Sequence, residues 1–176
     1  RAQLETNLFG VVNVTKAALP VLHQQRSGHI LQISSIGGRV GKTPGLGAYQ
    51  AAKFAIEGYS DVLAEEVAPL GIKVIIVEPG GFRTHWTGGA AGTTVAVGPD
   101  YEQTVGAWVL RHAQRNGHET GDPAKAAQAL IHIVDEPNPP RRLLLGSDAY
   151  RSAQADSQAR IDEAQRWSQL TQSTDF

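Results

Sequence analysis

Cysteine is absent from this sequence. That excludes disulfides and thiolate metal sites, and it suits a reducing interior. An excess of charge of either sign is also missing, since 16 Lys and Arg stand against 17 Asp and Glu for a net charge of −1. A nucleic-acid binder would carry a basic stripe or patch, so no nucleic-acid partner is expected. No apolar run approaches the roughly 20 residues of a membrane span, and the first residues do not read as a signal peptide. The expectation is a cytoplasmic protein with no membrane partner. The six histidines show no ligand spacing, so no metal site is expected. Methionine is absent too, and the chain opens at Arg1 inside a helical pattern with no capping residue ahead of it. Residues 1–176 are therefore expected to be the back part of a longer protein and to form a single domain.

What is present alternates between two periods. Leu4, Leu8, Val11, Val12, Thr15, Ala18, Leu19 and Leu22 recur at helical spacing. That predicts an opening helix to about Gln25, kinked at Pro20 and stopped at Ser27-Gly28. His29 to Ser34 reads as a short buried strand, and Ser35 to Gly47, rich in Gly, as a loop. A second helix is predicted from about Ala48 to Ala68, with Ala52, Ala55, Ile56, Tyr59, Val62, Leu63 and Val67 as its apolar stripe. Ile72 to Glu78 is a β-branched run and a second buried strand, stopped by Pro79-Gly80-Gly81.

The middle of the chain is less patterned. Gly88, Gly89 and Gly92 suggest a mobile loop, followed by an amphipathic helix through Tyr101, Val105, Trp108, Val109 and His112. The Tyr59 and Trp108 faces read as core. Asp122-Pro123 is a helix start, an N-cap followed by Pro at the first helical position. Ala126, Ala127, Leu130, Ile131 and Val134 form that helix's apolar face, and Leu143 to Leu145 a third strand. The polar tail from Asp148 reads as a helix anchored by Ile161, Trp167 and Leu170. This order of elements predicts parallel strands joined by crossover helices, the doubly wound α/β class. In that class ligands bind outside the carboxyl ends of the strands. Ser34-Ser35 and Pro79-Gly80-Gly81 both leave such ends, and Tyr49 starts the helix after the first.

Tyr49 and Lys53 stand four residues apart, hence on one face of a helix and about 6 Å apart along its axis. An ordinary phenol, with a pKa of about 10, is a poor base at neutral pH. A nearby ammonium favours the phenolate and makes the tyrosine a usable proton donor or acceptor.

Together, ETNLFG around Asn7, HILQISS ending at Ser35, YQAAK, and VIIVEPGGFRT from Val74 to Thr84 resemble the C-terminal portion of a short-chain dehydrogenase/reductase. GDPAKAAQAL, RRLLLGSDA and STDF resemble the later parts of such proteins. The resemblance implies the back half of a Rossmann-like three-layer α/β/α sheet with its first strands missing. It implies NAD or NADP as cofactor, a small alcohol or carbonyl as substrate, and a homodimer or homotetramer. Tyr49 would be the acid/base, Lys53 would lower its pKa and bind the nicotinamide ribose, and Ser35 would hold the substrate oxygen, with Ser34 as runner-up. Asn7 would hold a water in a proton relay. Pro79, Gly80 and Gly81 would admit the nicotinamide ring, and Thr84 would contact the carboxamide or phosphates. Residues 82–122 would form a substrate lid, in which Trp86, Trp108 and Tyr101 hint at an apolar or ring-bearing substrate. The Gly-rich turn that cradles the pyrophosphate in this family is not in the sequence. A non-catalytic module retaining only a helix–helix oligomerisation surface is therefore the alternative.

Overall fold

The computed structural model describes residues 1–86 and 96–176. The glycines read as a mobile loop (Gly88, Gly89 and Gly92) lie outside the described residues. The opening segment is helical but not uniform. A short α1 (Ala2–Leu4) gives way to a π-helical stretch (Glu5–Phe9), and α2 (Gly10–Gln25) follows, with Pro20 inside it. Arg26 ends α2 in the left-handed region, at φ 51°. Then come β1 (Gly28–Ile33), α3 (Gly47–Val67), β2 (Ile72–Pro79), α4 (Ala107–Arg115) and α5 (Pro123–Asp135). β3 (Arg142–Leu145), α6 (Ser147–Arg166) and α7 (Ser168–Gln172) complete the chain.

The three strands form one parallel sheet in the order β1-β2-β3. Gly28 pairs with Ile72 and Ile33 with Val77, while Ile76 pairs with Arg142 and Pro79 with Leu145. The central strand is apolar almost throughout because both of its faces are covered. Side chains alternate across a strand. Ile72 and Val74 accordingly pack with Leu63, Ala64 and Val67 of α3, backed by Leu19 and Leu22 of α2. Ile75 and Val77 face the other way, onto Ile133 of α5 and Leu145. This is the expected three-layer α/β/α arrangement, and burying each such side chain is worth about 1.5–3 kcal/mol. β1 lies at one edge, and Ile33 is 48% exposed, so the strand predicted as buried is only half covered.

Several faces differ from expectation. Val62 is exposed, although its place in the α3 stripe predicted a core position, and the buried face of α3 instead includes Gln50, Lys53, Glu57 and Ser60. α4 buries no residue, so Trp108 is not core, and Tyr59 is only partly buried. On α5 Ile131 is exposed and Ile133 is buried. The tail helix α6 is held by Ala149, Ala153 and Asp156, whereas Ile161, Trp167 and Leu170 face solvent. The Asp122 cap is as expected, its carboxylate accepting from the Ala124 N–H at 2.8 Å. Among the described residues no helix is long and apolar enough to cross a membrane, and no cluster of His, Asp or Glu could hold a metal.

Candidate active site

The carboxyl ends of all three strands open onto one rim, and α3 begins beside it. Just past β1 the chain separates its two serines. Ser34 is buried and donates to Glu57 Oε1 at 2.6 Å. Ser35 precedes the 3₁₀ turn Ile36–Gly38, where its Oγ accepts from the Gly37 N–H at 3.1 Å. Its hydroxyl also lies close enough to the Tyr49 phenol to pull that group's pKa down. Of the two serines that the sequence left open, Ser35 is the one beside the tyrosine.

Tyr49 lies in the first turn of α3, and Lys53 follows one turn later. The Lys53 ammonium is 5.7 Å from the centre of the Tyr49 ring and donates to the Ile33 carbonyl at 2.9 Å. Burial pushes the Lys53 pKa down, and the Glu57 carboxylate partly offsets this. The phenol differs from expectation. Its pKa is raised, because loss of water around the partly buried ring outweighs the pull of Ser35. The expected lowering by Lys53 does not emerge here, since the ammonium is committed to a backbone carbonyl and desolvation dominates.

The Pro79-Gly80-Gly81 turn is clamped from three directions. The Gly80 N–H donates to Leu145 O at 2.9 Å, and the Gly81 N–H donates to Asp148 Oδ2 at 2.7 Å. The Gly81 carbonyl accepts from the Gly121 N–H at 2.9 Å. A Cβ on Gly80 would come within 2.4 Å of Asp148 Oδ1, which explains the glycine without any ligand. Thr84 is exposed, and its Oγ1 accepts from the Trp86 N–H at 3.3 Å. Asn7 sits in the π-helical stretch, a feature common at functional sites. Its amide donates to Gln3 Oε1 at 2.9 Å, so the structure shows no link from it to Lys53.

A run of rings leads away from the phenol. Trp86 is tilted against Tyr49 at 5.8 Å, His112 meets Trp86 edge-on at 5.2 Å, and Trp108 stacks on His112 at 4.7 Å. Burial holds the His112 pKa below the ordinary range.

A family model described as short chain dehydrogenase matches residues 1–93. The chain belongs to the short-chain dehydrogenase family. All of the candidate residues from Asn7 to Thr84 fall within that match. Oxidoreductase BOA17 of Botryotinia fuckeliana is 46% identical over 170 residues, covering 97% of this chain and 61% of that protein. A solved short-chain dehydrogenase from Streptomyces avermitilis superposes with a TM-score of 0.87 at 39% identity, covering 98% of this chain and 62% of that one. A short-chain dehydrogenase from Burkholderia cenocepacia, solved with NADP, shares the fold with a TM-score of 0.67 at 23% identity, covering 94% of this chain and 59% of that one. The chain thus spans about three-fifths of the length of these relatives.

Reading the sequence as a short-chain dehydrogenase missed two residues that hold the rim. Glu57 follows Lys53 by four residues, the same interval that singled out Tyr49 and Lys53, so that spacing could have found it. Asp148 lies just past the third strand end, a loop that the ligand-rim rule also covers.

Proposed function

We propose that these residues carry the proton-transfer half of an NAD- or NADP-dependent oxidoreductase that interconverts an alcohol and a carbonyl. The observation that carries this reading is the meeting of Ser35, Tyr49 and Lys53 at one rim of the sheet. The cofactor, when bound, supplies or accepts the hydride. The rim suits such a group, because Thr84 is exposed beside the strand ends.

In the reducing direction the Tyr49 phenol gives its proton to the oxygen that takes up negative charge. Its raised pKa keeps that proton in place at neutral pH, which suits a donor. Ser35 donates a second hydrogen bond to the same oxygen. Lys53 stabilises the phenolate left behind and would hold the nicotinamide ribose of a bound cofactor. Asn7, once its amide turns from Gln3, would hold a water through which Lys53 is linked to solvent. The described residues 82–86 and 96–122 form part of the lid, and the rings of Trp86, His112 and Trp108 favour an apolar or ring-bearing substrate. A cytoplasmic homodimer or homotetramer completes the reading. Phe9, Val14 and Val21 on the opening helices and Phe54 and Val62 on α3, all exposed, support such assembly.

The second reading, a non-catalytic module retaining only a helix–helix oligomerisation surface, is supported by the same exposed apolar residues on the opening helices and α3. The 176-residue chain by itself is expected to bind NADPH and NADH poorly and to show no turnover, as calorimetric titration and an activity assay would read. Measurable affinity and turnover would sink the module. For the enzyme, Tyr49→Phe in the natural polypeptide that contains these residues is expected to lower kcat by about 10²–10⁴-fold. Retained turnover in that variant would refute the assignment of Tyr49.

A further inference from the structure

Beneath the rim lies a cluster of charges that the mechanism does not use. Arg142 on β3 donates to Glu57 of α3, to Glu78 of β2 at 3.0 Å and to Asp61 of α3. Arg39, in the loop after β1, pairs with Glu78 at 3.2 Å. Arg141 pairs with Glu65 at 2.9 Å and lies 4.0 Å from Asp61. Glu57 and Glu78 are almost wholly buried. Burying a carboxylate is costly unless it is paired and hydrogen-bonded. The buried pair Glu57 and Glu78 meets the guanidinium groups of Arg142 and Arg39. Lys53 is buried one helical turn from Glu57.

We infer that Glu57 is a positioning residue of the site. Through Ser34 it ties the strand end bearing Ser35 to the helix bearing Tyr49, and it gives Lys53 a counter-charge from one turn away. The geometry carries both parts. Ser34 Oγ to Glu57 Oε1 is 2.6 Å, and the residues on either side of Ser34 both serve the site. The Ile33 carbonyl accepts from the Lys53 ammonium at 2.9 Å, and Ser35 stands beside the phenol. One carboxylate thus sets the spacing between the strand end and the helix. The groups facing Glu57 are Ser34 past β1, Glu78 from β2 and Arg142 from β3, with Lys53 and Asp61 on its own helix. Burial raises the Glu57 pKa, with Ser34 and Arg142 pulling it down and Glu78 pushing it up. Lys53, in turn, owes part of its protonation to Glu57.

This inference rests on the reading of Lys53 as the cation of the site, but its test needs no turnover. The side-chain carbon beside each ammonium is followed by NMR during a pH titration of the 176-residue chain, with the Lys53 signal assigned by its loss in Lys53→Met. Glu57→Gln, which keeps an acceptor for Ser34 but not the charge, is expected to move the Lys53 midpoint downward. Glu57→Asp, which keeps the charge, is expected to restore the midpoint towards that of the parent chain. Glu65→Gln, an exposed carboxylate two turns further along α3, is expected to leave it in place. An unchanged midpoint in Glu57→Gln, or equal shifts in Glu57→Gln and Glu57→Asp, would overturn the inference. Should Glu57→Gln fail to fold, reciprocity supplies the same answer. Removing the charge in Lys53→Met must raise the Glu57 midpoint, and no rise there overturns the coupling. A verified shift alongside full turnover in Tyr49→Phe would instead count against the proposed reaction.

Discussion

Gly38 offers the sharpest test of whether the Ser34–Glu57 tie matters to the fold. A Cβ placed on it would lie 2.5 Å from Glu57 Oε1, 2.5 Å from Ser34 Oγ and 3.0 Å from the Lys53 carbonyl. Gly38→Ala therefore has two ways out. The 3₁₀ turn can shift, at the usual overpacking cost of about 1–3 kcal/mol. Alternatively the serine–carboxylate hydrogen bond can break, at about 1.5–3 kcal/mol. Taking the easier route still costs about 1–3 kcal/mol, and each kcal/mol shifts Tm by about 2–4 °C in a chain of this size. Gly58 on α3 is the control, because a Cβ there meets nothing within 4 Å. Gly58→Ala is expected to stabilise the exposed helix interior by up to about 1 kcal/mol. Thermal melts followed by circular dichroism read both variants. Adding Ser34→Ala to Gly38→Ala should cost less than the two single changes summed, since both act on one contact. An unchanged Tm in Gly38→Ala, or strict additivity in the double variant, would refute the reasoning.

Two further expectations concern titration. Asp156 pairs with Lys42 at 2.7 Å and accepts from Arg160 at 2.6 Å, and these cations hold its pKa below the ordinary value. Its contribution to stability is thus fully present above the unfolded pKa of about 3.9 and is lost as pH falls through the lower folded value. Urea midpoints of Asp156→Asn should be lower than the parent's at neutral pH and converge with them on acidification; a constant gap would exclude this linkage. Tyr49 should ionise above the ordinary phenol value, so the tyrosinate absorbance of the parent chain minus that of Tyr49→Phe should rise only beyond about pH 10. A difference curve rising earlier would show that Lys53, and not burial, governs the phenol in the chain alone.

What the sequence made legible was local chemistry. The Asp122-Pro123 cap, the Pro79-Gly80-Gly81 stop and the four-residue spacing of Tyr49 and Lys53 each depend on neighbours within a few positions, so a single window reveals them. Glu57 does not work that way. Its partners are Ser34, 23 residues before it, and Arg142, 85 residues after it. Without them a window shows only a charged residue in a helix, which solvent would normally claim. The same gap explains the misread face of α3. Apolar periodicity put Val62 inward, yet Val62 is exposed while Lys53, Glu57 and Ser60 are buried. The helix meets the apolar middle of the sheet with Leu63, Ala64 and Val67. Towards its other end it also meets polar and charged groups, among them Ser34 and Arg142, and there pairing joins apolarity in choosing the buried face. Tyr49 and Lys53 stand at that charged end. The Tyr49–Lys53 pair was readable from its spacing, whereas the carboxylate one turn beyond its lysine could be recognised only once the strands had brought Arg142 and Ser34 to it.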